Sequence, residues 1–492
     1  MSELASSLMA TGWLASFRRL AMASRGRLRF RRDEQNKGCS TIVWLGLFAQ
    51  VFVAQPAAAQ SVLFEGARVI VGDGSPAIED GAFLVVGGVI TRVGRRAAVA
   101  APAGATRIDL SGKTVMPAII SAHVHPGFQR GLVYSPENFT RETIMGDLNR
   151  ELYFGVSTVM SLGIEKGDVM YQIRADQAAG RLGGARLLLA GRGIGAPNTG
   201  PAAREYAGIA YEVSTEDQAR SAAQELAAKR VNTIKIWVDD RGGRAPSLPI
   251  KLSSLIIEEG HRLGLTVTAH VFYHKDADEL AAAGINAFAH LVRDAVMSDA
   301  LITTMISKGI YVMPNIGTPE LVTHSSTPTW FDEPYLAGLL RDTQPAEVIA
   351  RVRNAFSSRD AATAERGQKN YAIQQKSVAK LSAAGARVIL GCDTGIKDNF
   401  FGYAEQKELE LMVGAGMTPS EVIVAATSRS AEFLGTTDRG SLVPGKRADF
   451  LVLDANPLDD IRNTRRIEKM YLVGAEVDRA ALKASFTKNA GN

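Results

Sequence analysis

Eight apolar runs rich in β-branched residues follow one another through the middle of the chain, and most of them precede a stretch with helical character. The runs lie at residues 115–125, 155–163, 185–195, 233–240, 265–271, 287–292, 311–317 and 386–395. Apolar strands that alternate with helices are typical of a parallel sheet covered on both faces. Eight such units in about 320 residues predict an α/β fold, a closed (β/α)8 TIM barrel. An open doubly wound sheet is the competing fold, but no Gly-X-Gly-X-X-Gly turn follows the first run.

Shorter β-rich pieces, separated by glycine-containing turns, lie on both sides of these runs. They occur at residues 61–65, 67–71, 82–86 and 89–93 near the start, and at residues 449–454 and 469–474 near the end. Because similar pieces return at the far end, we expect both chain ends to build one small β-sandwich domain. The predicted organisation is a sandwich from residues 61–114 and 437–492, the latter including a tail, beside a barrel at residues 115–436.

The first 60 residues differ from the rest of the chain. A basic region is followed by an apolar run at residues 41–54 and then by Ala57-Ala58-Ala59. This order predicts a secretory signal peptide over residues 1–60 that is cleaved near Ala59. A membrane anchor is the alternative, but the apolar run is shorter than the roughly 20 residues that a spanning helix needs. We therefore expect a periplasmic or secreted protein without stable membrane association after cleavage.

The charge of the chain argues against a nucleic-acid partner. The formal net charge is +5, but residues 1–60 hold 8 of the 56 Lys and Arg residues and 3 of the 51 Asp and Glu residues. The remainder therefore has 48 of each sign and lacks the basic excess that nucleic acids or anionic lipids attract. Of the two cysteines, only Cys392 follows the predicted leader, so no disulfide is expected within the mature chain. A small-molecule substrate is the expected partner, and a homo-oligomer is left open.

Six side chains that can bind metal stand at or near the ends of the predicted barrel strands. The first run ends in a His-X-His pair, His123 and His125, whose side chains face the same way because they are two apart in a strand. The other four are Lys235, His270, His290 and Asp393, each on its own run. Active sites of such barrels lie at the carboxyl ends of the strands. The pattern predicts a catalytic metal site, although each single histidine alone could be a hydrogen-bonded core residue.

Lys235 lies within the apolar run at residues 233–240 and is expected to point into the barrel. One interpretation is a structural lysine that is paired with Asp239 or Asp240. An ammonium group cannot bind metal, whereas an Nζ-carboxylated lysine offers two anionic oxygens that can bridge two cations. Asp393 ends another apolar run, where a buried carboxylate without a partner would be costly.

Together these motifs resemble the amidohydrolase superfamily. The resemblance rests on the His-X-His strand, Lys235, the two single histidines, the Gly-Cys-Asp-Thr-Gly end of the eighth run and the late segment at residues 440–454. Among the members of this superfamily, the chain is most similar to the imidazolonepropionase-like and prolidase-like branch, which includes ochratoxin-type amidohydrolases. The lysine points to the prolidase-like side, whose members carry a carboxylated lysine and two metals.

This resemblance implies a role for each candidate ligand. His123, His125 and Asp393 would hold one divalent metal, and His270 and His290 would hold a second. Carboxylated Lys235 would bridge the two metals, for which Zn²⁺ suits the histidine and carboxylate ligands. Asp393 would also be the catalytic base, which takes a proton from the metal-activated hydroxide and passes it to the leaving nitrogen.

Three further residues are expected to bind substrate. Tyr273 and His274 follow His270 at the mouth of the fifth strand, where they could bind a substrate carboxylate; packing at a helix start is the alternative. His324 lies in a segment at residues 318–346 that is rich in Pro, Thr and aromatic residues without a clean helical period. Long loops on this face of a barrel shape or cover the pocket, so a lid is predicted there.

The resulting expectation is a metal-dependent hydrolase of a C–N amide bond. The resemblance implies a dipeptide or an N-acyl amino acid as substrate, including ochratoxin-like N-aroyl amino acids. A phenylurea, a carbamate or a cyclic amide is the alternative substrate. A catalytically empty scaffold is a third alternative, which would predict missing ligands.

Overall fold

The computed structural model describes residues 60–198, 206–396 and 398–488. The predicted leader therefore lies outside the described residues, apart from Gln60. Within the described part of the chain, no helix is both long and apolar enough to cross a membrane.

The strands fall into one mixed sheet, two series of parallel strands and a short hairpin. In chain order they are β1 (Ser61–Val69), β2 (Ile78–Val86), β3 (Val89–Arg95), β4 (Thr106–Asp109), β5 (Thr114–Pro117), β6 (Ile119–Val124), β7 (Gln129–Arg130), β8 (Val133–Tyr134), β9 (Val156–Ser161), β10 (Arg186–Leu189), β11 (Ile194–Gly195), β12 (Tyr211–Glu212), β13 (Thr233–Val238), β14 (Thr266–Val271), β15 (Ala287–Phe288), β16 (Tyr311–Val312), β17 (Arg387–Val388), β18 (Phe450–Leu453), β19 (Ile467–Leu472) and β20 (Ala475–Glu476).

The helices mostly follow the parallel strands. They are α1 (Arg141–Tyr153), α2 (Val169–Ala178), α3 (Glu216–Ala228), α4 (Ile250–Arg262), α5 (His274–Ala283), α6 (Asp299–Lys308), α7 (Gly317–Leu321), α8 (Pro334–Thr343), α9 (Ala346–Ser357), α10 (Ala361–Ala383), α11 (Tyr403–Gly414), α12 (Pro419–Ala426), α13 (Ser428–Phe433) and α14 (Arg479–Lys488).

The mixed sheet joins the two ends of the chain. Its order is β20-β19-β18-β5-β1-β2-β3, with β4 paired to β1, so strands from before residue 118 and after residue 449 share one sheet. Aromatic side chains from both chain ends pack together in this sheet: the ring centroids of Phe64 and Phe83, from the first part of the chain, and of Phe450, from the last part, are 5.0 Å apart. Burial of these large apolar side chains is what holds the two ends together.

The parallel strands pair in the order β6-β9-β10 and β12-β11-β13-β14-β15-β16-β17. The run at residues 185–195 contributes to both series. Its first strand, β10, pairs with β9, and its second strand, β11, pairs with β13. The last strand returns to the first: the Ala122 N–H donates to the Leu390 carbonyl at 2.8 Å, and the His125 N–H donates to the Thr394 carbonyl at 2.6 Å. These two bonds bring the end of the eighth run beside the His-X-His pair.

Each of the eight predicted apolar runs contains a strand, but the first run is divided. Its beginning, β5, belongs to the mixed sheet, where it pairs with β1 and β18, and its end, β6, belongs to the parallel series. Pro117 ends β5, and Ala118 donates its N–H to the Asp449 carbonyl at 3.0 Å. The chain therefore leaves the mixed sheet after Pro117, slightly later than the predicted boundary between residues 114 and 115.

The segment at residues 318–346 is largely helical, in contrast to the irregular lid that the sequence suggested. It contains the end of α7, a 3-10 helix at Thr329–Asp332 and α8, and it leads into α9. Buried apolar side chains fasten this helical insertion to α1 and α11; among them are Phe331, Leu336, Leu340, Tyr153 and Tyr403. The helical period of this segment was not recognisable in the sequence because prolines interrupt it. Prolines are nevertheless compatible with a helix when they lie at its start.

Candidate metal centre

Three of the predicted ligands converge on one point. The Nε2 atoms of His123 and His125 are 3.0 Å apart, and Oδ1 of Asp393 lies 3.2 Å from the first and 2.9 Å from the second. One ligand atom from each residue lies within 4.8 Å of the others. His123 and His125 face the same side of β6 and its extension because they are two residues apart. The arrangement can hold a cation at the carboxyl end of the strands.

Asp393 is placed by a turn at the end of the eighth run. Its φ is +55°, in the left-handed region that few side chains other than Asn and Asp adopt. Burial by itself would raise the pKa of Asp393, but the adjacent His123 and the hydrogen bond to His125 outweigh burial and hold this pKa well below its usual range. Asp393 is therefore an anion in this site, which is the form that binds metal.

His270 and His290 continue the cluster on the neighbouring strands. The ring centroids of His123 and His290 are 5.2 Å apart, and those of His270 and His290 are 4.6 Å apart. Burial lowers the pKa of His123, His270 and His290, so these rings are neutral. Neutral imidazole is the metal-binding form. His270 also has a partner that the sequence interpretation had not given it, since its Nε2 lies 3.0 Å from Oδ2 of Asp239.

Lys235 is buried on β13. The residue is 1% exposed, and its Nζ has no hydrogen-bond partner among the described residues. It is not paired with Asp239 or Asp240, which removes the structural alternative. Burial lowers the pKa of Lys235 to about 7, so a large fraction of the amine is neutral near pH 7. Its charge acts on His123, His270 and Asp393, which places its amine beside the histidine cluster.

An orphaned amine of this kind fits a bridging ligand. A buried polar group without a partner is costly, and carboxylation of the neutral amine would convert it into an anion with metal as its partner. Space for this side chain depends on glycine: a Cβ added at Gly163, whose φ is +103°, would lie 2.7 Å from Cγ of Lys235. The residues present therefore fit the two divalent metals that the resemblance implies.

Asn315 is a contributor that sequence reasoning missed. Its Nδ2 donates to the Ala289 carbonyl at 2.6 Å and lies 2.7 Å from Nδ1 of His123 and 3.2 Å from Nδ1 of His290. Asn315 is fully buried, so it links the strands that carry the two histidines. Groups that hold the second nitrogen of a metal-binding histidine fix the orientation of its ring. Its position at the end of the seventh run was the only available signal.

Glu405 is a second missed contributor, and it lies on α11 behind the site. Its carboxylate accepts hydrogen bonds from Thr394 Oγ1 at 2.6 Å, from Ser121 Oγ at 3.0 Å and from the Gly402 N–H at 2.9 Å. Thr394 follows Asp393 directly, and Ser121 precedes His123 by two residues. Glu405 thus ties together the two strands that supply the first group of ligands. No sequence motif identified this role, because Ser121 and Glu405 are 284 residues apart.

The three predicted substrate-binding residues all have hydrogen-bond or ion-pair partners within the protein. The Tyr273 hydroxyl donates to Asp240 Oδ1 at 2.8 Å. Nε2 of His274 accepts from the Ser298 N–H at 3.0 Å, and its Nδ1 lies 3.0 Å from Asp278 Oδ2. His324 lies in the helical insertion, where its Nε2 is 2.7 Å from Glu320 Oε1. The bonds of His274 occupy both ring nitrogens and attach the start of α5 to the loop before α6.

Known proteins with similar sequences and structures place this arrangement in a family. The model of the amidohydrolase family matches residues 114–477. An imidazolonepropionase from Deinococcus radiodurans is 28% identical over 414 residues, which cover 81% of this chain and 92% of that protein.

Two solved structures illustrate the similarity of the fold. A Xaa-Pro dipeptidase with methionine bound in its active site aligns with a TM-score of 0.67 and 20% identity over 85% of this chain and 100% of that chain. The ochratoxinase of A. niger aligns with a TM-score of 0.64 and 18% identity over 85% of this chain and 96% of that chain. Similarity at this level shows a shared, TIM-barrel-like α/β fold. The family match over residues 114–477 shows that the chain belongs to the amidohydrolase family, whose members typically bind divalent metals, and that it is a hydrolase acting on carbon–nitrogen bonds.

Proposed function

We propose that this protein is a binuclear metal-dependent amidohydrolase that cleaves the amide bond of a dipeptide or an N-acyl amino acid. The observation that carries the proposal is the buried, unpartnered amine of Lys235 beside the converging His123, His125 and Asp393. A site for one metal would not need this lysine. A closed (β/α)8 barrel with a small β-sandwich domain built from both chain ends is the architecture we infer from the strand pairing.

The proposed ligand sets divide the six side chains into two groups and a shared residue. His123, His125 and Asp393 would hold one metal, His270 and His290 would hold the other, and carboxylated Lys235 would be shared by both. Zn²⁺ is the proposed ion, because imidazole and carboxylate ligands suit it. When bound, two divalent metals lower the pKa of water and polarise the scissile carbonyl.

The protein groups around this centre have separate tasks. Asp393, kept anionic by the adjacent histidines, accepts a proton at its carboxylate as the carbonyl is attacked and returns it to the leaving nitrogen. Asn315 keeps the ring of His123 in place through Nδ1, and Glu405 holds Thr394 and therefore the backbone next to Asp393. Rigid placement of a base and its substrate is itself a large part of catalysis.

Support for the substrate class comes from two related proteins. The Xaa-Pro dipeptidase and the ochratoxinase share this fold, and each name denotes a hydrolase. We propose that the present chain acts on small amides of the same general kind, including N-aroyl amino acids. With its predicted leader, the enzyme would work in the periplasm or outside the cell on a soluble small molecule.

The first experiment is a hydrolysis screen of the metal-loaded protein. Dipeptides, N-acyl amino acids, phenylureas, carbamates and cyclic amides would be compared, and metal content would be measured by elemental analysis. We expect close to two metals per chain, loss of activity on chelation, and turnover of the first two substrate groups. Turnover only of ureas, carbamates or cyclic amides would move the substrate class to the alternative. Full activity with one metal would contradict the binuclear centre, and no metal with no turnover would indicate a scaffold.

A matched pair of variants separates the roles of the histidines. His270→Ala should lower the metal content by about one ion per chain, because His270 belongs to the second ligand group. His261→Ala is the control, since His261 is an exposed histidine on α4 that bonds to Asn286. Equal metal contents in these two variants would remove His270 from the ligand set.

A further inference from the structure

Arg293 lies between the ends of the two strands that carry His270 and His290. It follows His290 by three residues, and its backbone N–H donates to the Phe272 carbonyl at 2.8 Å. Its guanidinium carbon lies 5.9 Å from the centroid of the Phe272 ring. The backbone and the head group of Arg293 are therefore both placed at the mouth of these strands.

The guanidinium is on the side of the metal centre. Its positive charge acts on His270 and His290 and is attracted by Asp393 and Asp239. Its Nε is buried and has no hydrogen-bond partner among the described residues. No ion pair among the described residues includes Arg293. Leaving such a buried donor unpaired is costly, so a ligand group that pairs with it would recover this energy.

The other candidates for an anion-binding group at this mouth are occupied. The Tyr273 hydroxyl donates a hydrogen bond to Asp240, and both ring nitrogens of His274 have protein partners. The sequence had suggested these two residues for a substrate carboxylate. Their hydrogen bonds leave Arg293 as the better candidate for that role.

We propose that Arg293 binds the free carboxylate of the amino acid that leaves when the amide bond is cleaved. This inference rests on the proposed function and adds the group that selects substrates with a free carboxylate. Arginine suits the task because its planar fork donates two parallel hydrogen bonds to a carboxylate, and charge assistance strengthens them. A substrate carboxylate paired with Arg293 would fix one end of the substrate close to the histidine cluster.

The test compares an N-acyl amino acid with its C-terminal primary amide, using the amino acid that the hydrolysis screen favours. Wild type should have a kcat/KM more than tenfold higher for the acid, which corresponds to about 1.4 kcal/mol. Arg293→Met should lower kcat/KM for the acid more than tenfold and leave that for the amide within about twofold. Arg293→Lys should keep part of the preference, since it retains the charge. Arg366→Met is the control, because Arg366 is exposed on α10 and bonds only locally to Thr363.

Calorimetric binding of the N-acetyl amino acid gives a measurement that does not need turnover. Binding to Arg293→Met should be at least tenfold weaker than binding to wild type. Equal binding, or an equal loss of kcat/KM for acid and amide, would overturn the role of Arg293 in carboxylate recognition. Absence of hydrolysis of both members of the pair by the metal-loaded wild type would contradict the proposed function, while the binding comparison would still decide the role of Arg293.

Discussion

Replacing Lys235 with methionine should stabilise the metal-free protein at low pH, although it removes a residue that we place in the metal centre. The Nζ of Lys235 is buried without a partner among the described residues, and burial lowers its pKa from 10.5 to about 7. Each step of one in pKa corresponds to about 1.36 kcal/mol, so the buried ammonium costs roughly 5 kcal/mol. Methionine has a similar length and no charge, and its burial avoids that cost.

The pH dependence has a definite sign. Between about pH 7 and 10.5 the unfolded chain keeps a proton on Lys235 that the folded protein has released, so wild-type stability rises with pH. Below about pH 7 the cost is fully present, and above pH 10.5 it has vanished. The advantage of Lys235→Met should therefore be largest near pH 6 and should shrink by roughly 3 kcal/mol by about pH 9.

The assay is urea unfolding of protein depleted of metal and carbon dioxide, at pH 6 and pH 9. Lys251→Met is the control, because Lys251 is exposed on α4 and its Nζ lies 2.7 Å from Oε1 of Glu216, which raises rather than lowers its pKa. Its removal should change the stability only slightly and to the same extent at both pH values. A Lys235→Met variant that is less stable than wild type at pH 6, or whose difference from wild type does not change with pH, would refute the reasoning. Metal and bicarbonate should then stabilise wild type far more than Lys235→Met, because only wild type can form the bridge.

Three other substitutions test the centre and its support. Asp393→Asn should reduce kcat by roughly 10²–10⁴-fold from loss of the acid–base role alone, and a variant that keeps most of its kcat with both metals bound would assign the base elsewhere. Gly163→Ala should destabilise the fold by roughly 1–3 kcal/mol and lower the metal content, because the new Cβ, at a φ of +103°, would collide with Cγ of Lys235. An unchanged melting temperature and metal content would contradict this close contact between residue 163 and Lys235. Glu405→Gln should lower kcat while the circular dichroism spectrum stays native, since one strong acceptor for Thr394 and Ser121 is lost, and wild-type kcat would show that Glu405 does not position Asp393.

The alternation of apolar runs and helices could be recognised from the sequence because it depends on local chemistry. A strand buried on both faces must be apolar along its length, and each of the eight runs does contain a strand. The division of the first run between two sheets could not be recognised, because β5 and β6 are equally apolar and only their partners differ. The helical insertion was likewise missed, since its apolar faces become apparent only against α1 and α11.

The sequence by itself indicated the candidate ligand types and the pairing of His123 with His125, because side chains two residues apart on a strand face the same way. It also indicated that Lys235 lies inside an apolar strand. Only the tertiary structure decided which groups support them: Asn315 reaches His123 across 192 positions, and Glu405 reaches Ser121 across 284. In the structure, both ring nitrogens of His274 have protein partners, whereas Nε of Arg293 has no hydrogen-bond partner among the described residues. Whether a polar side chain has a hydrogen-bond partner depends on neighbours that are distant in sequence. For that reason spacing and residue type could indicate the candidate ligands but not the groups that orient them or the donor that we propose for a substrate.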